Sequence, residues 1–83
     1  MAADRAQLTT TIYSVLGGIA PEVEAGSLRP DRPLRDQVDI DSYDWLTFLV
    51  GLHDALGVEI PEADYAGLVT LDNLLDYLAA RLP

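Results

Sequence analysis

Apolar residues recur along this chain at the three-and-four spacing of helices. Leu8, Ile12, Val15, Leu16 and Ile19 share one face of a segment from about Asp4 to Ile19. Gly17, Gly18 and Pro21 are expected to mark its end, because glycine enters left-handed conformations easily and proline cannot extend the hydrogen-bond ladder. A second helical period starts at Ser42 and runs to Leu56, with Gly57 as the stop signal. Val58, Glu59, Ile60 and Pro61 read as a short extended link, and Pro61 to Asp64 opens a brief helix through Tyr65 that Gly67 closes. A last helix begins at Thr70 or Leu71, with Thr70 as cap and Leu74, Leu75, Leu78 and Leu82 facing inward. Strand-like alternation of useful length is absent. The predicted fold is all-α, a small four-helix bundle of three long helices and one short third helix. It forms one domain over residues 1–83 around a single core.

Between the first two long helices lies an aperiodic segment, Pro21 to Asp41, holding Pro21, Pro30 and Pro33. Leu28, Leu34, Val38 and Ile40 are spaced irregularly along it, as anchors pinning a loop to a core would be. Loops this long are uncommon in compact domains and are often functional.

The segment 42–56 is apolar on two sides when projected at about 100° per residue. Trp45, Phe48, Leu49, Leu52 and Leu56 form one stripe; Tyr43, Leu46 and Val50 form another nearly opposite, flanked by Thr47 and Asp54. A helix lying on a core needs only the first stripe. The second is accounted for either by burial on all sides or by an exposed patch that receives a partner.

Charge favours the patch. Fourteen acidic residues against five basic ones give a net charge of −9. Such a surface repels phosphate backbones and anionic lipid, so basic protein surfaces are the natural partners and nucleic acid is not. No segment approaches the length of a transmembrane helix, so membrane insertion is not expected. The apolar stretch Ile12–Ala20 follows Asp4 and no basic cluster, which fits a helix of the folded domain better than a signal peptide; a cytoplasmic monomer is the expectation.

Ser42, in V-D-I-D-S-Y-D-W-L, stands where a helix cap belongs, a role Asp41 could share, while Asp44 complements the positive end of the helix. A catalytic serine is disfavoured. The single histidine, His53, lies eleven residues along the same helix, about 16 Å away by helical rise, and no cysteine is present. The lone histidine and missing cysteines also exclude a zinc site of those ligands. Asp39, Asp41 and Asp44 offer at most a weak surface magnesium site, since their spacing lacks the further ligands and glycine of a calcium-binding loop.

The run D-S-Y-D-W-L-T-F-L-V-G-L-H-D-A-L-G-V-E-I-P-E-A-D-Y, followed by T-L-D-N-L-L-D-Y-L, resembles the acyl carrier protein family from Ile40 to Leu78. In that family a D-S-L or D-S-M motif opens the second long helix, and an I-E-I-P-like segment and a T-x-x-x-(L/I)-x-x-(Y/F)-(L/I) helix follow. The resemblance implies a carrier and not an enzyme. Ser42 would receive 4'-phosphopantetheine from coenzyme A through a phosphopantetheinyl transferase using magnesium, and so act as cap and tether together. The arm's thiol would hold acyl groups as thioesters, loaded by a ligase or synthase with a basic docking surface. Asp41, Tyr43, Asp44, Leu46, Thr47, Val50 and Asp54 would form the partner face.

Departures from the family pattern narrow this picture. Tyr43 replaces the usual leucine or methionine, and Thr47 and His53 stand where carriers of fatty-acid synthesis usually have glutamate. Those changes point to a specialised, free-standing carrier. Trp45 is large for its place near the acyl channel, where it either packs in the core or reshapes the cargo space. A peptidyl carrier more often shows G-G-x-S, so D-I-D-S favours an acyl carrier. The rival from another class is a small acidic interaction module without a prosthetic group.

Overall fold

The computed structural model describes residues 4–82; residues 1–3 and 83 of the expected domain lie outside the described residues. Helix α1 spans Arg5–Ile19, α2 Leu34–Gln37, α3 Ser42–Leu56 and α4 Leu71–Arg81, with a 3-10 helix at Glu62–Gly67 before α4. No β-strand is present among the described residues, and α1 packs against both α3 and α4. The all-α bundle is therefore as expected, with one added helical turn at α2.

Capping marks the ends of the three long helices. Asp4 accepts from the Ala6 N–H to open α1, and Thr70 and Asn73 form a reciprocal capping box at α4. Gly57, at φ 68°, closes α3 in the left-handed conformation that glycine adopts without a Cβ penalty. Gly17 and Gly18 do otherwise than expected: both lie inside α1 with negative φ, and the helix stops at Ile19 just before Pro21. Three consecutive threonines are accommodated in α1 because Thr9, Thr10 and Thr11 donate their hydroxyls to carbonyls four residues back.

One apolar core is filled from every element but the 3-10 helix, whose Tyr65 packs on it half-buried. Ile12 and Leu16 of α1, Phe48, Leu49 and Leu52 of α3, and Leu74 and Leu78 of α4 are essentially without solvent contact. Trp45 belongs to this core, its ring centroid 5.2 Å from that of Phe48. Trp45 thus packs in the core, and no buried side-chain N or O atom among the described residues lacks a hydrogen bond.

The segment between α1 and α3 is a pinned loop, and its anchors are the apolar residues singled out above. Leu28, Leu34 and Val38 are buried and Ile40 is half-buried. Tyr13 Oη accepts from the Leu28 N–H at 2.9 Å. The Leu34 N–H donates to Val69 O at 2.9 Å, and the Asp72 N–H to Pro30 O at 3.1 Å, tying the loop to the start of α4. Within the loop, the Gln37 amide accepts from the Arg29 N–H at 2.7 Å and donates to the carbonyls of Arg29 and Arg32. The single turn of α2 is too short to leave a periodic signature, so the sequence reads there as loop.

Candidate functional site

The site is built where this pinned loop meets the first turn of α3. The expectation that Ser42 caps the helix is corrected. Asp41 is the cap: with extended φ and ψ of −91° and −176°, it sets its carboxylate 2.8 Å from the Asp44 N–H, while its own carbonyl accepts from the Trp45 N–H. Aspartate is as good a cap as serine, and its charge also favours the positive helix end. Ser42 is therefore the first residue within the helix, exposed, with a hydroxyl that caps nothing.

That hydroxyl has one partner. Arg35, projecting from α2, donates from Nη2 to Ser42 Oγ at 3.2 Å. The sequence carries no signal for Arg35, because a contact between residues of two different elements leaves no local pattern. Among the described residues no acceptor faces the N–H groups of Ser42 and Tyr43, which belong to the four orphan donors of a helix start.

The remaining predicted site residues lie along one side of α3. Tyr43 is 76 % exposed, Leu46 44 % and Val50 51 %, while Phe48 on the opposite side is at 0 %. Thr47 and Asp54 are exposed beside them, and Asp44 is half-buried at the start of the row. The second apolar stripe is thus a surface and not a second core. Thr47 spends its hydroxyl on the Tyr43 carbonyl at 3.0 Å. His53 is half-buried, and its Nδ1 lies 2.8 Å from Val58 O, bracing the chain just past the Gly57 stop.

Beside this face, a cleft of about 150 Å³ is lined by Leu49, Val50, His53, Glu59, Ile60 and Tyr65. Trp45 does not border it. Asp39, Asp41 and Asp44 form no metal-holding cluster, nor does any other His, Cys, Asp or Glu group among the described residues. The arrangement suits covalent attachment of a phosphate-bearing group. An exposed hydroxyl that caps nothing meets a guanidinium and free helix-start N–H groups, and these donors favour an added negative charge.

A family model described as "Phosphopantetheine attachment site" matches residues 7–78. The meromycolate extension acyl carrier protein of Mycobacterium tuberculosis (strain ATCC 25618 / H37Rv) is 34% identical over 77 residues, covering 86% of this chain and 67% of that protein. The protein of the same name from Mycobacterium leprae is 30% identical with the same coverage. The acyl carrier protein of Myxococcus xanthus is 29% identical over 70 residues, or 77% of this chain and 89% of the relative. Among the described residues no helix is long and apolar enough to cross a membrane.

Proposed function

The chain belongs to the phosphopantetheine-binding acyl carrier family, and from that premise we propose that Ser42 is the residue that carries the group and that the outer face of α3 receives the partner enzymes. The family acts by carrying acyl groups and is not itself catalytic; its prosthetic group is 4'-phosphopantetheine. When bound, that group supplies a thiol on a flexible arm, which this chain lacks for want of any cysteine. The observation that carries the assignment is the Ser42 hydroxyl: exposed at the first turn of α3, with Asp41 doing the capping.

Attachment breaks the Ser42 Oγ–H bond and forms an Oγ–P bond. The pyrophosphate bond of coenzyme A breaks, adenosine 3',5'-bisphosphate departs, and a base of the transferase takes the serine proton. Asp41 serves by holding the first turn of α3 without engaging Ser42. Tyr43, Leu46 and Val50 present apolar area to the transferase and to loading enzymes, and Asp41, Asp44 and Asp54 steer their basic surfaces. In this reading the chain works as a monomer in the cytoplasm.

The role is specialised and distinct from general fatty-acid synthesis. Thr47 and His53 leave the docking helix short of carboxylates, and Thr47 sits on the exposed face where a charge would count most. Relatives named for meromycolate extension support the idea that a carrier of this kind can serve one class of acyl chain.

Incubation with coenzyme A, magnesium and a broad-specificity transferase should add one phosphopantetheine, which peptide mapping places on Ser42. Ser42→Ala should accept none. A wild-type chain left unmodified by several transferases would refute the assignment. Thr47→Glu should speed loading by general fatty-acid-synthesis enzymes; no gain would argue against the specialised docking face.

A further inference from the structure

All five basic side chains of this acidic protein are arginines. Arg5 lies 2.8 Å from Asp76 and 3.7 Å from Asp72, and Arg81 lies 3.7 Å from Asp64 and over the Tyr77 ring. Arg29, Arg32 and Arg35 have no carboxylate within ion-pair distance among the described residues, and of these three only the Arg35 side chain makes a hydrogen bond there, its guanidinium donating to the neutral Ser42 hydroxyl at 3.2 Å. A guanidinium has five donors in a planar fork, a geometry that suits a phosphate better than a hydroxyl.

The backbone beneath Arg35 is held on both sides. Leu34 is buried and hydrogen-bonded to the Val69 carbonyl, Val38 is buried, and the Gln37 amide ties the turn to Arg29 and Arg32. The side chain itself is exposed. Its base is therefore fixed while its head remains available.

We propose that Arg35 is the counter-ion of the phosphodiester that modification creates on Ser42; the inference rests on the attachment reading above. Esterified Ser42 bears one negative charge among Asp36, Asp39, Asp41 and Asp44, all close in sequence and all repelling it. The free N–H groups of Ser42 and Tyr43 offset only part of that repulsion. Arg35 supplies the one full positive charge already seated on the esterified oxygen. The pairing ties the root of the arm to α2 and leaves the outer face of α3 open to partners. Arg35 is a positioning residue: it holds the charge that attachment creates.

The test compares apo and holo forms of wild type, Arg35→Gln and Arg35→Lys, with modification of Ser42 first verified by intact mass and peptide mapping. In wild type, modification should shift the Arg35 Nε–H resonance, and the phosphorus-31 resonance of the holo form should move in Arg35→Gln. The change in melting temperature on modification should be less favourable in Arg35→Gln than in wild type by about 1–8 °C, the span of an exposed charge pair in so small a domain. Arg35→Lys should recover part of it, keeping the charge without the fork. At about 1 M salt, where the Debye length is about 3 Å, the gap should close. Modification on Ser42 with an unmoved Arg35 resonance and the same melting shift in Arg35→Gln would overturn this proposal alone. A wild-type chain that takes no phosphopantetheine on Ser42 would overturn the attachment reading and this one with it.

Discussion

The two apolar faces of α3 make opposite predictions for the same kind of truncation. Phe48 has no solvent contact and its ring lies 5.2 Å from that of Trp45, tilted by 39°, so Phe48→Ala removes a ring from the centre of the core. Lost transfer energy plus the cavity left behind should cost about 3–5 kcal/mol. A domain of 83 residues has about 4–12 kcal/mol of stability in total, so the variant should lose from about a quarter to all of it. Leu46 is 44 % exposed on the other side of the same helix. Leu46→Ala forfeits only part of a side chain's burial, and alanine's helix propensity returns about 0.2 kcal/mol, so the net loss should stay under about 1 kcal/mol. Urea melts followed by circular dichroism separate the two. With an m value near 1 kcal/mol/M, the midpoint should fall by about 3–5 M for Phe48→Ala and by less than about 1 M for Leu46→Ala. Despite its stability, Leu46→Ala should be modified more slowly by the transferase. Equal losses of stability in the two variants would show that the outer stripe is buried in solution, and the docking face would fall with it.

Asp41→Ala should cost about 1 kcal/mol in a thermal melt and Ser42→Ala only a few tenths, since the aspartate alone accepts from the Asp44 N–H; the reverse order would restore the cap to Ser42. Gly51→Ala should destabilise by about 1 kcal/mol despite better helix propensity, because the added Cβ would sit 2.7 Å from Val15 Cγ1, whereas Gly18→Ala, with open space, should stabilise by about 0.5–1 kcal/mol. Partial burial and the 2.6 Å hydrogen bond to the Asp64 carboxylate hold the Tyr77 phenol above its ordinary value of 10.0, against the lowering pull of Arg81. The folded state thus keeps that proton more tightly than the unfolded one. Its contribution is complete below pH 10.0 and is lost as pH rises through the folded value, so melting temperature should fall less steeply above pH 10.0 in Tyr77→Phe than in wild type.

Helical period and local stop signals made most of the fold legible. The leucines of α1 and α4, the αL glycine at Gly57 and the Thr70 cap each depend on residues within a few positions of one another, which a single sequence displays. What depends on distant neighbours was not visible. The projection of α3 shows two apolar stripes but not whether the second is also buried, and the exposure of Tyr43, Leu46 and Val50 decides that. The Gly17–Gly18 pair reads as a helix end because both residues permit one, yet a helix can pass through glycine where its surroundings favour it. The reach of Arg35 to Ser42 depends on a one-turn helix whose position is set by Leu34, Gln37 and the start of α4.

The division of labour between Asp41 and Ser42 shows why a one-residue shift matters for function. Either residue type caps a helix well, so D-S before an apolar run leaves the choice open. Were Ser42 the cap, its oxygen would be committed to a backbone N–H at the helix start, and esterification would alter the very atom that stabilises the first turn. Stability and modification would then be coupled at a single oxygen. With Asp41 as the cap, the Asp44 N–H stays satisfied whether or not Ser42 is esterified. On the proposed attachment, Ser42 Oγ would give up nothing but its contact with Arg35, and Arg35 would gain a better acceptor in the phosphate. On the same reading, the aspartate before the serine has a structural reason of its own: it would let Ser42 be loaded while the first turn of α3 stays as it was.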